Sequence, residues 1–254
     1  MRNVLILGGT TEARRLAERL ASRSDLSVTL SLAGRTAAPA ALPVPVRSGG
    51  FGGVAGLVGY LTAEHIDALI DATHPYAAVI SANAAQAARI TSVPLLALYR
   101  RPWSKVEGDR WTEVADMNEA VHAIGDKPRR VFLALGRKEV APFTRAPQHE
   151  YLVRSVDPID PPLAVPHAEY ILARGPFSDA DERALLAAHS IDVIVSKNSG
   201  GSATYGKIAA ARALGIGVIM LRRPTLPEAP SVETVDAALA WLDHALAPHA
   251  ARGV

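Results

Sequence analysis

The chain has 254 residues, 49% of them hydrophobic and 20% charged, with a formal net charge of +2. That length holds one large α/β core or two compact halves, and so small a net charge gives no ground for a general polyanion-binding surface. Cysteine is absent, which excludes disulfides, thiolate metal sites and thiol catalysis.

The first predicted element is the apolar run Val4-Leu5-Ile6-Leu7, of the kind buried on both faces of a parallel sheet. It is far too short for a signal segment, and no apolar stretch approaches the ~20 residues of a spanning helix, so a cytoplasmic protein without a membrane partner is expected. Gly8-Gly9-Thr10-Thr11-Glu12-Ala13 follows and leads into a helix with Ala13, Leu16, Ala17 and Leu20 on one face. Strand, glycine turn and helix in this order form the pyrophosphate turn of a dinucleotide-binding fold. Gly8 fits the first glycine of G-x-G-x-x-G/A and Ala13 the last, while Thr10 stands at the middle glycine and has a hydroxyl to offer a phosphate. The alternative is a tight turn that binds nothing.

A second strand is expected over residues 27–33, ending at Gly34-Arg35. An NAD site would place a carboxylate there for the ribose 2′-hydroxyl. Arg35 instead suits the 2′-phosphate of NADPH, with Ser31 or Thr36 beside it. The Ala- and Pro-rich stretch that follows reads as loop and closes on Gly49-Gly50-Phe51-Gly52-Gly53, where Gly52 and Gly53 allow close backbone approach to the cofactor; a flexible hinge is the competing reading. A helix over 54–62 leads to a strand over 68–72, then to Thr73-His74-Pro75-Tyr76. This strand end belongs at the ligand crevice, so Thr73 is a cofactor contact and His74 and Tyr76 are candidate acids. Asp71 is expected to orient the turn. A helix over 77–89 and a strand over 94–99 complete the first series.

The second series begins after Gly125-Asp126-Lys127-Pro128. Strands are expected over 131–135, 151–156, 170–173, 192–196 and 217–221, with helices over 179–189, through 211 and over 231–247. Residues 157–167 hold four prolines and read as a rigid loop. Cations mark the strand ends: Arg137 and Lys138 after Gly136, Arg174 before Gly175, Lys197 before Asn198, and Arg222 with Arg223. In a parallel sheet they gather at one edge, with almost no acid beside them, and suit a substrate bearing several carboxylates. Ser199-Gly200-Gly201, followed by Tyr205, Lys207 and Ile208, reads as an anion-binding helix start. The histidines lack the i, i+4 pairing of a zinc site, so no metal is expected, and nothing points to nucleic acid.

The alternation of strands and helices predicts two Rossmann-like, doubly wound α/β domains with mostly parallel sheets and a cleft between them. The expected division is residues 1–126 for the NADPH domain and 127–254 for the domain contributing to the substrate cleft.

Five stretches in this order resemble one family over nearly the whole chain: Leu7-Gly8-Gly9-Thr10-Thr11-Glu12-Ala13, Gly50-Phe51-Gly52-Gly53, Asp71-Ala72-Thr73-His74-Pro75-Tyr76-Ala77, Leu135-Gly136-Arg137-Lys138 and Lys197-Asn198-Ser199-Gly200-Gly201. They resemble the precorrin-6A reductases of cobalamin biosynthesis. The resemblance implies a carboxylate-rich tetrapyrrole as substrate and reduction of a ring-D double bond, with hydride from NADPH and a proton to the neighbouring carbon. It names no settled proton donor, so His74, Tyr76 and water all stay open. Other NADPH-dependent reductases of polyanions and a non-catalytic NADPH sensor are the alternatives. An epimerase or short-chain reductase needs Tyr-x-x-x-Lys, and here Tyr205 and Lys207 are only two apart.

Overall fold

A computed structural model describes residues 1–34, 42–137 and 139–247. Strand β1 (Arg2–Leu7) shows why the first sheet needs cover on both sides. Val4 and Ile6 enter one core, and Leu5 and Leu7 enter another, because successive side chains of a strand face opposite ways. Helix α1 (Thr11–Leu20) covers the first face with Ala13, Leu16, Ala17 and Leu20, the four residues expected from their spacing. Each fully buried leucine contributes roughly 1.5–3 kcal/mol.

After β2 (Leu26–Leu32) and β3 (Val46–Ser48) come α2 (Gly53–Ala63), β4 (Ile66–Asp71), α3 (Ala78–Thr91) and β5 (Leu95–Leu98). Leu57 and Leu61 of α2, with Ala84 and Ala87 of α3, cover the second face. Small alanines let α3 lie close to the sheet.

The chain then continues through β6 (Trp111–Val114), α4 (Met117–Ile124), β7 (Arg130–Ala134), a 3-10 turn (Ala141–Arg145), β8 (Glu150–Ser155) and β9 (Ala168–Leu172). It goes on with α5 (Asp179–Ala188), β10 (Val193–Lys197), α6 (Gly206–Leu214) and β11 (Gly217–Leu221). Leu186 of α5 and Ile208, Ala210 and Ala211 of α6 pack with Phe132, Leu152, Ile194, Val218 and Met220 of the sheet. Last come β12 (Ser231–Val232) and α7 (Val235–Leu246), whose Ala238 and Leu242 join the core under α1.

Two six-stranded sheets result, ordered β12-β5-β4-β1-β2-β3 and β6-β11-β10-β7-β8-β9, with every pairing parallel. The expected fold class of two Rossmann-like parallel α/β units is what the chain adopts. In each sheet the order reverses beside one central strand, between β1 and β4 and between β7 and β10. Those reversals are the places where such sheets open a crevice at their carboxyl edge.

The division at Asp126 needs correcting. One unit comprises Met1–Arg100 with Pro224–Val254, and the other Arg101–Arg223. β6 and α4 fall within residues 1–126, yet β6 pairs with β11 in the second sheet. The C-terminal β12 pairs with β5 in the first. The polar stretch at 125–128 is therefore an ordinary helix-to-strand turn.

Candidate active site

At the reversal of the first sheet, β1 ends in the glycine turn and β4 ends in Asp71, and Leu7 and Asp71 are register partners. Gly8 is closely packed: a Cβ there would lie 2.7 Å from Leu30 Cδ1, so that side chain would have to shift. Gly9 adopts φ +121°, a conformation that favours glycine. Thr10 caps α1: its Oγ accepts from the Ala13 amide at 3.1 Å and donates to the Ala72 carbonyl at 2.8 Å. The proton expected for a phosphate thus ties the glycine turn to the end of β4. The backbone amides at the start of α1, where Thr11 is the first helical residue, are donors of the kind that suit an anion. Glu12 is held by Arg100, with Nη1 to Oε2 at 2.9 Å, and Ala13 is buried against the core.

The turn after β4 rests on a buried network. Asp71 Oδ1 accepts from the Thr73 amide at 3.0 Å and from the Thr73 hydroxyl at 2.6 Å. Asp71 Oδ2 accepts from Tyr99 Oη at 2.5 Å, and Ser81 Oγ lies 3.2 Å from the same phenol. Burial first, and then the Asp71 charge, push the Tyr99 pKa well above its ordinary value, so the phenol keeps its proton. Asp71 thus orients the turn, as expected, and the Thr73 hydroxyl is spent on it. His74 and Tyr76 follow, half-buried, with ring centroids 5.6 Å apart. The Tyr76 amide donates to His74 Nδ1 at 3.3 Å, so the neutral imidazole carries its proton on Nε2.

At the reversal of the second sheet, β7 ends near Gly136 and Arg137, and β10 ends at Lys197. β9 ends just before Arg174, and β11 just before Arg222. All pairings are parallel, so these cations do share the carboxyl edge of the sheet. The expectation of almost no acid among them fails at one point. Lys197 Nζ donates to Glu139 Oε1, a carboxylate that returns through the turn after Gly136. Asn198 makes a reciprocal pair with the Trp103 backbone, accepting from its amide at 2.7 Å and donating to its carbonyl at 2.9 Å. Arg223 donates to the carbonyls of Asn198 and Ser199. Gly200 is pressed against this support: a Cβ there would lie 2.1 Å from the Arg101 carbonyl oxygen. Tyr205 accepts from Arg212 at 2.5 Å, and Lys207 is buried, donating to the Thr204 carbonyl at 2.7 Å. Both reinforce the start of α6.

The family described as Precorrin-6x reductase CbiJ/CobK matches residues 3–243 of this chain. A precorrin-6A reductase of Sinorhizobium sp is 58% identical over 245 residues, covering 96% of this chain and 94% of the relative. One from Rhodobacter capsulatus is 49% identical over 255 residues and covers all of both chains. The solved structure titled CobK precorrin-6A reductase shares 48% identity, covers both chains fully and superposes with a TM-score of 0.93. The chain belongs to the precorrin-6x reductase family.

As a member of this reductase family with a Rossmann-like first sheet, it is an oxidoreductase that uses a nicotinamide cofactor. The residues at the first reversal fit one. A Cβ added at Gly9, Gly52 or Gly53 would meet nothing within 4 Å, so the backbone there borders open space on which a ligand can lie. Gly52, in the left-handed region, starts α2 without a side-chain cap, which leaves amides at that helix start for an anion.

The sequence-predicted cofactor residues Gly8 to Ala13, Ser31, Gly34, Gly52, Gly53 and Thr73 stand at the carboxyl edge of the first sheet, together with His74 and Tyr76. Arg137, Arg174, Lys197, Asn198, Ser199, Gly200, Gly201 and Tyr205 belong to the second unit. Arg35, Thr36 and Lys138 lie outside the described residues. The residues that sequence reasoning missed are the supports: Tyr99, Ser81, Arg100, Trp103, Glu139 and Arg47. None sits in a recognisable motif, and the partners of Tyr99, Arg100, Trp103 and Glu139 are distant in sequence.

Proposed function

We propose that this chain is an NADPH-dependent precorrin-6A reductase of cobalamin biosynthesis, working in the cytoplasm on a carboxylate-rich tetrapyrrole. The observation that carries the reading is the full-length similarity to relatives named precorrin-6A reductase, at 58% and 49% identity. The chemistry of the site agrees with it.

The glycine turn and the amides opening α1 hold the pyrophosphate, and Gly52 and Gly53 take a further part of the dinucleotide. A nicotinamide held there would supply the hydride for one carbon of a ring-D double bond. The Asp71–Tyr99 network fixes the turn that presents His74 and Tyr76, and one of these, or an aligned water, delivers the proton to the neighbouring carbon. Arg137, Lys138, Arg174 and Lys197, with the Ser199-Gly200-Gly201 turn, hold the substrate carboxylates. Alignment and exclusion of water supply much of the remaining rate enhancement.

The test is anaerobic turnover of purified protein with precorrin-6A, NADPH and NADH being compared. Loss of NADPH absorbance with a product two hydrogens heavier is the expected result. Tight NADPH binding without turnover would overturn the substrate assignment.

A further inference from the structure

The sequence offers Arg35 as the cation beside the adenosine ribose, but a second arginine stands there in the described structure. Ser31 lies near the carboxyl end of β2, and Arg47 is its register partner on β3. In a dinucleotide-binding sheet the end of the second strand faces the 2′ position of that ribose. This end, Ser31-Leu32-Ala33-Gly34, carries no carboxylate for a 2′-hydroxyl.

Arg47 is held firmly. Its guanidinium lies 3.9 Å over the Phe51 ring, and Nη1 and Nη2 donate to the carbonyls of Gly49 and Gly50 at 2.6 and 2.7 Å. Nη1 is also 3.4 Å from Ser31 Oγ. These contacts fix the plane of the fork and leave its charge unanswered: among the described residues no carboxylate pairs with Arg47. Among the described residues its Nε–H and one Nη2–H have no acceptor, and the buried Ser31 hydroxyl has none for its proton. A clamp for two carbonyls needs donors but not a charge, and a half-buried, unpaired cation is costly unless an anion completes it. A planar fork stacked on an aromatic ring suits the two oxygens of a phosphate.

We propose that the Arg47 guanidinium, with the Ser31 hydroxyl, seats the 2′-phosphate of the dinucleotide and sets the preference for NADPH over NADH. This rests on the reading of the chain as a dinucleotide-dependent reductase and names the residue that decides which dinucleotide it takes. Phe51, between the glycine pairs, is on this view the platform for the cation.

Titration of wild type, R47Q, R47K and S31A with NADPH and with NADH tests it, loss of the charge-assisted contact being worth at least about tenfold in affinity. R47Q should lose that factor for NADPH while its NADH affinity, the internal check on folding, changes by less than about threefold. R47K should fall between wild type and R47Q, and S31A should lose NADPH affinity selectively to a smaller extent. Equal losses for both dinucleotides in R47Q would make Arg47 a loop clamp only and overturn the proposal. An R47Q protein that keeps the wild-type preference would overturn it too. Wild type that binds neither dinucleotide would overturn the underlying reading and this assignment together.

Discussion

One hydroxyl, on Thr10, joins the two strand ends that flank the first reversal. It caps α1 through the Ala13 amide and donates to the Ala72 carbonyl, a contact across 62 residues of sequence. Thr10→Val keeps the shape and removes both bonds. A lost cap costs about 1 kcal/mol and a lost hydrogen bond about the same. Urea denaturation should therefore show a loss of about 2 kcal/mol, and Thr10→Ser should recover most of it. If Val is as stable as wild type, the two contacts are not holding the turn. At the other reversal Lys197 has Glu139 as a partner and a proposed role toward a substrate carboxylate. Lys197→Ala is expected to raise the KM for the tetrapyrrole about tenfold or more while NADPH affinity barely moves, as paired titrations and steady-state kinetics would report. A selective loss of NADPH binding would show that the second unit serves the cofactor. Both residues stood out in the sequence; Glu139 did not, because a partner is defined by folding and it lies 58 positions from Lys197.

The strands and helices that the sequence made legible are those with a continuous apolar run or a helical stripe. β1, β4, β7, β10 and β11 are buried along most of their length, and α1 shows its face at regular spacing. β3 and β6 were not legible for the opposite reason. They are three- and four-residue edge strands, with side chains exposed at both ends of β3 and in the middle of β6, and no apolar period marks them. Arg47 went unnoticed because it lies on β3. The turn before β8 makes a further expectation. His149 is fully buried there, and burial, with the Arg129 charge adding to it, holds its imidazole pKa below the ordinary 6.5. The folded chain then binds fewer protons than the unfolded one between the lowered value and 6.5. Stability is at its full value above about 6.5 and falls as pH drops below it. His149→Gln should flatten the pH dependence of the denaturation midpoint between pH 7 and 5; an unchanged slope would show that His149 is not its source.

At the scale of the whole chain, one order of five strands is built twice, as β5-β4-β1-β2-β3 and β11-β10-β7-β8-β9, and each sheet takes its sixth, outermost strand from an unexpected part of the sequence. β6 comes before the central strand of its sheet, and β12 arrives after the second unit is complete. A reader of the sequence sees a strand-helix rhythm and divides it at the polar turn. The actual division depends on pairings between β6 and β11 and between β12 and β5, which local patterns do not encode. It follows that α7 stabilises the first unit. Leu242→Ala, at a fully buried position in that core, should cost about 2–5 kcal/mol and speed hydrogen exchange in β1, β4 and β5, leaving β7 and β10 protected. Equal loss of protection in both sheets would contradict the division.

The central claim is hydride transfer from the dinucleotide to a tetrapyrrole. NADPH carrying deuterium at nicotinamide C4, in each of the two stereochemical forms, would be incubated anaerobically with the enzyme and precorrin-6A, and the product examined by mass spectrometry. One form should deliver a single deuterium to the macrocycle, with the second new hydrogen coming from solvent. A reduced product that takes both hydrogens from solvent, whichever form is used, would contradict the account.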